Sequence, residues 1–435
     1  MNRIVAIDGH NLALQRGTGV ATYAKSLADN IREMGGKGWT LYGAPISQKQ
    51  KPMLREISFF DYLGGAGRPR RQWWSRTAKD VSRYLRSPLG YSAIEIPQNG
   101  VVESRCFDSR LPRGARLFNV DDLFLMARDH FKQHRKFLKI RFDEKPDVMH
   151  WTYPLPIVVE GVPNIYTLHD LVPLRLPYTT LDNKRYYQRL IGGCIEYGDR
   201  ICTVSEKSKE DILRLFDVPE EKVKNTYQAV DTFAFKGEKS DRNAEQEVSG
   251  IYGLEPYDYF LFFGAIEPKK NVGRLVEAYL SSEAASKLVI VGSRAWKSEE
   301  ETKLLDALEK HNSAMSKNVR LFDYAPRAFL ISLIRCAKAV VFPSLYEGFG
   351  LPVLEAMQLG VPTLCSTEGS LPEIAGNASL IVNPYDVAEI ARALERLDAD
   401  AGLRADLAEL GLAQAGRFSA ENYRNRLTEL YDSVL

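Results

Sequence analysis

The feature that most constrains the fold is a series of short, unbroken apolar runs, each closed by a glycine-rich or polar turn and followed by a longer helical pattern. Runs such as Tyr259-Phe260-Leu261-Phe262-Phe263 and Leu288-Val289-Ile290-Val291 show no alternation of apolar and polar residues. Strands buried on both faces read this way, and they belong to parallel sheets covered by helices on either side. The expected strands of a first series are 4–7, 147–151, 165–168 and 200–204; those of a second are 259–264, 288–292, 319–322, 339–342, 362–365 and 380–382. Two successive doubly wound domains follow, and 435 residues is an ordinary length for two. The stretch 236–245 is polar, charged and without an apolar face, so the expected partition is 1–236, a linker over 237–256, 257–418, and a final helix within 419–435 capped by Ser419. The stretch from about 45 to 119 lacks clean patterning and reads as an elaboration of the first domain.

Composition excludes little. The formal net charge is +2, with 45% hydrophobic and 26% charged residues, as in an ordinary globular protein. No apolar run approaches the roughly 18 residues of a membrane-spanning helix. The N-terminus lacks the regions of a signal peptide, so a cytoplasmic location is expected. The five cysteines form no C-x-x-C pair, and the six histidines show no ligand spacing. Buried free thiols and no metal site are the expectation.

Chemistry concentrates at strand ends. The run 339–342 leads into Pro343-Ser344-Leu345-Tyr346-Glu347-Gly348-Phe349-Gly350-Leu351, and a helix beginning near Gly350 carries Glu355. Free backbone N–H groups gather at such a junction, and the helix dipole favours phosphates. The two carboxylates suit a ligand with hydroxyls at both ends and phosphates between. After the strand ending at Gly264 come Lys269 and Lys270, which a helix start repels unless an anion offsets them; they point to a pyrophosphate. His169-Asp170 closes the run 165–168, where an imidazole can donate to a sugar hydroxyl; Asp170 fits equally as its partner or as a turn cap. Gly17-Thr18-Gly19 precedes a helix near the N-terminus, but the third glycine of a dinucleotide fingerprint is replaced by Thr22. The glycines allow a phosphate to approach the backbone.

These stretches, in this order, resemble motifs of the retaining GT-B glycosyltransferases of the family 4 type. Glu347 to Glu355 resembles the E-x7-E signature, Glu267-Pro268-Lys269-Lys270-Asn271 the E-P-R-K-N element, and Thr167-Leu168-His169-Asp170-Leu171 the T-[IL]-H-D-L element. Arg16 to Tyr23 resembles R-T-G-I-G-R-Y, Thr203 to Ser208 resembles T-V-S-x-x-S, Val291 to Trp296 resembles V-G-x-x-G-W, and Ser370 to Glu373 resembles S-x-L-P-E. The resemblance implies two Rossmann-like domains with a cleft between them, an acceptor-side first domain, a donor-binding second domain, and a C-terminal helix crossing back to the first. It implies transfer of a hexose, mannose above others, from a GDP- or UDP-sugar to a glycan or lipid-linked glycan of a bacterial surface polysaccharide, with retention and without a further cofactor or metal. His169, Glu347 and Lys270 would act in catalysis. Gly17, Gly19, Lys269, Lys270, Gly348, Phe349, Gly350, Leu351 and Glu355 would bind the donor. A catalytically weak partner subunit of a polysaccharide assembly complex and a sugar-nucleotide epimerase are the competing readings.

Two departures bear on partners. Where the family often has Phe-x-Gly-Tyr, this chain has Phe322-Asp323-Tyr324-Ala325-Pro326-Arg327, and Asp323 suits either guanine or a helix cap. Residues 68–86 place Trp74, Ala78, Val81 and Leu85 on one helical face flanked by Arg and Lys, and a second basic stretch spans 128–141. The first would either lie on an anionic membrane at its inner face or pack on its own domain. No nucleic acid partner is expected.

Overall fold

A computed structural model gives the structure of the chain and describes residues 3–14, 19–65, 90–108, 110–229, 240–311 and 318–435. Two parallel sheets organise it. Eight strands of the first lie in the spatial order Val223–Asn225, Arg200–Thr203, Asn164–Leu168, Val148–Trp151, Ile4–Asp8, Lys37–Tyr42, Arg116–Asn119 and Ile94–Ile96, the last antiparallel to its neighbour. Six strands of the second, all parallel, lie in the order Val319–Phe322, Lys287–Val291, Tyr259–Phe263, Ala339–Phe342, Thr363–Ser366 and Ser379–Val382. The central runs lack alternation because both faces are covered. Every residue of Tyr259–Phe263 is buried, and Phe262 stacks on Phe342 with centroids 5.0 Å apart.

Each sheet reverses direction once at its centre. In the first, the chain moves outward from Ile4–Asp8 to Lys37–Tyr42 and later returns to Val148–Trp151 on the other side. In the second, it moves from Tyr259–Phe263 through Lys287–Val291 to Val319–Phe322 and returns to Ala339–Phe342. Connections leave the carboxyl ends of these central pairs in opposite directions and open a crevice there, which is where doubly wound sheets take ligands.

Three expectations need correction. Most of the described part of the stretch 237–256 is not an open linker: Asp241–Tyr252 is a helix capped by Ser240, with Ala244 and Val248 buried under Arg327–Arg335. Two apolar residues four apart suffice for one helical stripe, and the charges around them hid it. The segment 45–119 is not wholly an appendage either, since Arg116–Asn119 pairs in parallel with Lys37–Tyr42 inside the main sheet. Four cysteines are buried but Cys106 is exposed. The amphipathic reading of 68–86 falls on residues 66–89, which lie outside the described residues.

The helix Ala420–Asp432, capped by Ser419, packs on the first domain against Gly19–Glu33. Arg424 pairs with Glu33 and Arg3 with Asp432, each at 2.5 Å, but partly exposed pairs like these contribute little. Burial of Tyr423, Leu427 and Tyr431 does more. The Tyr431 hydroxyl lies 2.9 Å from Nδ1 of His150, whose Nε2 lies 2.8 Å from Thr167 Oγ1. Burial first, and the nearby His169 second, push His150 down to about 3.

That shift has a signed consequence. Between the ordinary histidine value near 6.5 and about 3, the unfolded chain binds a proton at His150 that the native state refuses. Stability therefore falls as the pH drops through this window, by up to about 1.4 kcal/mol per pH unit from this group. Urea unfolding at pH 7 and pH 5 is expected to show the wild type losing about 2 kcal/mol more than His150→Gln; equal losses would refute the assignment.

Candidate active site

The second sheet's crevice is built from the turns after its two central strands. The loop after Ala339–Phe342 carries Glu347 and enters the helix Leu351–Gln358 through Gly350, whose φ of 106° favours glycine. Ser370 fastens this loop, its amide donating to the Glu347 carbonyl at 3.1 Å and its hydroxyl to the Phe349 carbonyl at 2.7 Å. Gly369, at φ 65°, lies so close that a Cβ would meet the Glu347 carbonyl oxygen at 2.6 Å. The S-x-L-P-E stretch thus acts as a clamp on the loop.

Glu347 is buried and accepts from Lys270 Nζ at 2.6 Å. Burial alone would raise its pKa, but Lys270 and then Lys269 outweigh it and hold the carboxyl below the usual range. Lys270 also lies 5.0 Å from the centroid of the Phe342 ring. Lys269 approaches Glu267 at 3.6 Å; burial disfavours its charge, yet Asp170, Glu347 and Glu267 together raise its pKa. Glu267 itself is pushed up by burial.

The lysines do not occupy the first turn of a helix, as the sequence led us to expect. They lie in a 3₁₀ turn, Pro268–Lys270, separated from the helix Val272–Ser281 by Asn271 in the left-handed region at φ 60°. Asn271 is pinned there by side-chain bonds to the carbonyls of Pro343 and Pro384, at 2.9 and 2.7 Å. Carboxylates of the protein, Glu267 and Glu347, lie against these lysines.

Glu355, one helix further in, is buried and gripped by both terminal nitrogens of Arg327, at 2.8 and 2.9 Å. Sequence reasoning missed this fork. Its signal was an arginine in the first turn of the helix Arg327–Arg335, where the dipole disfavours a cation without a partner. Asp323 does not cap that helix: the N-cap position is Pro326, and Asp323 is exposed.

The first domain meets this loop directly. A Cβ on Gly348 would lie 2.5 Å from the His169 carbonyl oxygen, so glycine alone permits the approach. Ser205, which also caps the helix Glu206–Leu215, donates to the Gly348 carbonyl at 2.7 Å, and Ser208 donates to the His169 carbonyl at 2.8 Å. Glu373 accepts from the Glu206 and Lys207 amides at 2.8 and 3.2 Å. Tyr346 donates to the buried Asp211, which Arg175 approaches at 3.4 Å, and Trp296 donates to the Thr179 carbonyl at 3.2 Å. Gly19 lies nearby, a Cβ there falling 3.7 Å from Leu351, an ordinary contact. Gly17 is outside the described residues.

His169 stands where the sequence put it, but its ring is turned. Nε2 lies 2.9 Å from the Thr152 carbonyl, which can only accept, so this nitrogen carries the proton. Burial lowers the pKa and keeps the ring neutral, leaving Nδ1 as an acceptor. The imidazole can accept from a hydroxyl in the cleft; the expected donation is already directed to Thr152. Asp170 bonds the Val172 amide at 3.1 Å through Oδ1, as a turn cap does. The site therefore combines two lysines, three buried carboxylates (Glu267, Glu347 and Glu355), a helix N-terminus and a neutral imidazole.

Family models agree with the two halves. Residues 241–413 match "Glycosyl transferases group 1" and residues 110–232 match "Glycosyltransferase Family 4". The chain is 32% identical over 274 residues to the O-antigen chain mannosyltransferase B of Escherichia coli, covering 61% of this chain and 69% of that protein. It is 30% identical over 291 residues to the serotype-specific mannosyltransferase WbdA of Escherichia coli, covering 65% of this chain but only 35% of WbdA. Among solved structures, HepE of Anabaena in complex with UDP and glucose superposes with a TM-score of 0.66 at 13% identity, covering 99% of this chain and all of that one, a likeness of fold.

Proposed function

The chain belongs to the group 1 and family 4 glycosyltransferases and is a glycosyltransferase of the GT-B fold, and from that premise we propose that it transfers a hexose, mannose above others, from a nucleotide sugar to a hydroxyl of a glycan or lipid-linked glycan in surface polysaccharide synthesis. The observation that carries the reading is the buried Lys270–Glu347 pair at the central crevice of the second sheet. An ammonium has three donors, so Lys270 can hold Glu347 and a donor phosphate at once. Lys269 adds a second positive charge, and the amides of Gly348, Phe349, Gly350 and Leu351 approach the same phosphates. Arg327 aims Glu355 at the ribose hydroxyls, and Glu347 faces the sugar. The mannose preference is supported by the names of both Escherichia coli relatives.

The transfer proceeds with retention. The bond from C1 of the sugar to the phosphate oxygen breaks, and the acceptor oxygen bonds C1 on the same face. The acceptor's proton passes to the departing phosphate, so no side chain is needed as a nucleophile. His169, neutral and accepting through Nδ1, fixes a sugar hydroxyl, and fixed charge around the phosphates stabilises the departing group. Glu347→Gln and Lys270→Ala are each expected to lower the rate about 100-fold or more, roughly 2.7 kcal/mol of barrier. Thermal midpoints measured alongside separate this from unfolding, since either change strands a buried charge. Wild-type turnover in both variants would overturn the site.

The base is proposed to be guanine, read by the exposed Asp323 after Val319–Phe322. GDP is expected to raise the thermal midpoint more than UDP at equal concentration; the reverse order would eliminate guanine. Peripheral contact with an anionic membrane is supported by a groove of about 590 Å³ between Leu123–His134 and Lys184–Tyr197, lined by Arg128, Lys132, Arg135, Arg185 and Arg189. Co-sedimentation with phosphatidylglycerol vesicles is expected and should weaken with added salt. Equal recovery with neutral vesicles would remove the anionic surface from the reading.

A further inference from the structure

Beside His169 the polar side chains of four elements form one buried chain that the transfer chemistry does not use. Tyr23, on the helix Gly19–Glu33, is 1% exposed, and its hydroxyl lies 3.0 Å from Oγ1 of Thr167. Thr167 stands two residues before His169 on Asn164–Leu168, and the same Oγ1 lies 2.8 Å from Nε2 of His150 on the neighbouring strand. A hydroxyl has one proton and two lone pairs, so Thr167 serves both partners. Through Nδ1 of His150 the chain ends on Tyr431 of the C-terminal helix, at 2.9 Å. Burial keeps it uncharged, holding the Tyr23 hydroxyl well above its ordinary pKa and the His150 ring well below. A buried network paired in this way supplies rigidity.

What it makes rigid is the ring of Tyr23. That ring stands at 89° to the imidazole of His169, with centroids 4.8 Å apart. The imidazole is held at Nε2 by the Thr152 carbonyl, 2.9 Å away. One hydrogen bond fixes a point and leaves the ring free to turn about it; a flat ring packed at its side removes that freedom. The direction in which Nδ1 faces the cleft is therefore set by Tyr23. The same ring fills space that water would otherwise take. Burial lowers the pKa of His169 against the opposing pulls of the Thr152 bond and of Asp170, and what the second domain brings against this stretch is the uncharged backbone of Gly348.

We infer that Tyr23 is the positioning residue of His169, its ring fixing the plane in which Nδ1 accepts and its hydroxyl anchoring that ring through Thr167 and His150 to Tyr431; the consequence for rate rests on the transferase reading above. The test uses the full chain, the nucleotide sugar that most raises its thermal midpoint, and two readouts. The first is imidazole nitrogen NMR, with the His169 signal assigned by its loss in His169→Gln. Tyr23→Ala is expected to raise the pKa of His169 toward the ordinary 6.5, because the space left beside an imidazole and the Thr167 hydroxyl admits water. The second is donor turnover. Nδ1 accepts only when unprotonated, so the acid limb of kcat against pH moves up in Tyr23→Ala, and kcat at pH 7 falls about tenfold or more while the donor KM changes less. Tyr23→Phe, which keeps the ring, is expected to restore both, a rescue that general damage to folding would not give. Where Tyr23→Ala folds too poorly for spectroscopy, Tyr23→Leu is expected to lower kcat by a similar factor. A His169 that titrates in Tyr23→Ala as in the wild type, or a Tyr23→Phe as impaired as Tyr23→Ala, overturns the assignment. A wild type that neither transfers nor hydrolyses its donor, with the NMR shift present, would instead strike the transferase reading and uphold the role of Tyr23.

Discussion

At the seam of the two halves the tightest constraint is a backbone approach, Gly348 against the carbonyl of His169. No other residue type fits there, since a Cβ would fall 2.5 Å from that oxygen. Around it, Ser205 and Ser208 donate to the Gly348 and His169 carbonyls, and Glu373 reaches across to the first amides of Glu206–Leu215. These bonds join the carboxyl end of one parallel sheet to the carboxyl end of the other. Because parallel strands deliver their following turns to a single edge, the contact brings together the turns that carry polar side chains.

What collects at that edge is a balance of charge that neither half holds alone. Lys270 answers Glu347 within the second domain, while the charge on Lys269 is favoured first by Asp170 from the other side. Burial works against the charges of Glu347 and Lys269, and it is overcome because opposite charges lie close by. In the opposite crevice Asp8 is buried, and among the described residues Nδ1 of His10 and Nδ2 of Asn11 lack a hydrogen-bond partner.

Much of this was legible in the chain. Unbroken apolar runs announced parallel strands, and Glu347, Lys270 and His169 stood at the ends of those runs because cleft residues in such sheets must lie there. Short or unusual elements were harder. Arg116–Asn119 is too brief to be told from a loop, and the helix Asp241–Tyr252 buries only Ala244 and Val248 beneath a charged surface. The lysines looked like a helix start because proline and asparagine mark both that and a 3₁₀ turn; only the positive φ of Asn271 decides between them.

The sequence by itself determined the fold class, the strand ends at which polar residues gather, and the glycines without which the loops could not close. Those are local matters of periodicity, turn chemistry and steric room. Tertiary structure alone decided which polar groups meet: that Arg327 grips Glu355, that the proton of His169 is spent on Thr152, and that His10 and Asn11 are left unsatisfied. A hydrogen bond depends on a few tenths of an ångström and on direction, and residues far apart in the chain acquire both only when the sheets have packed.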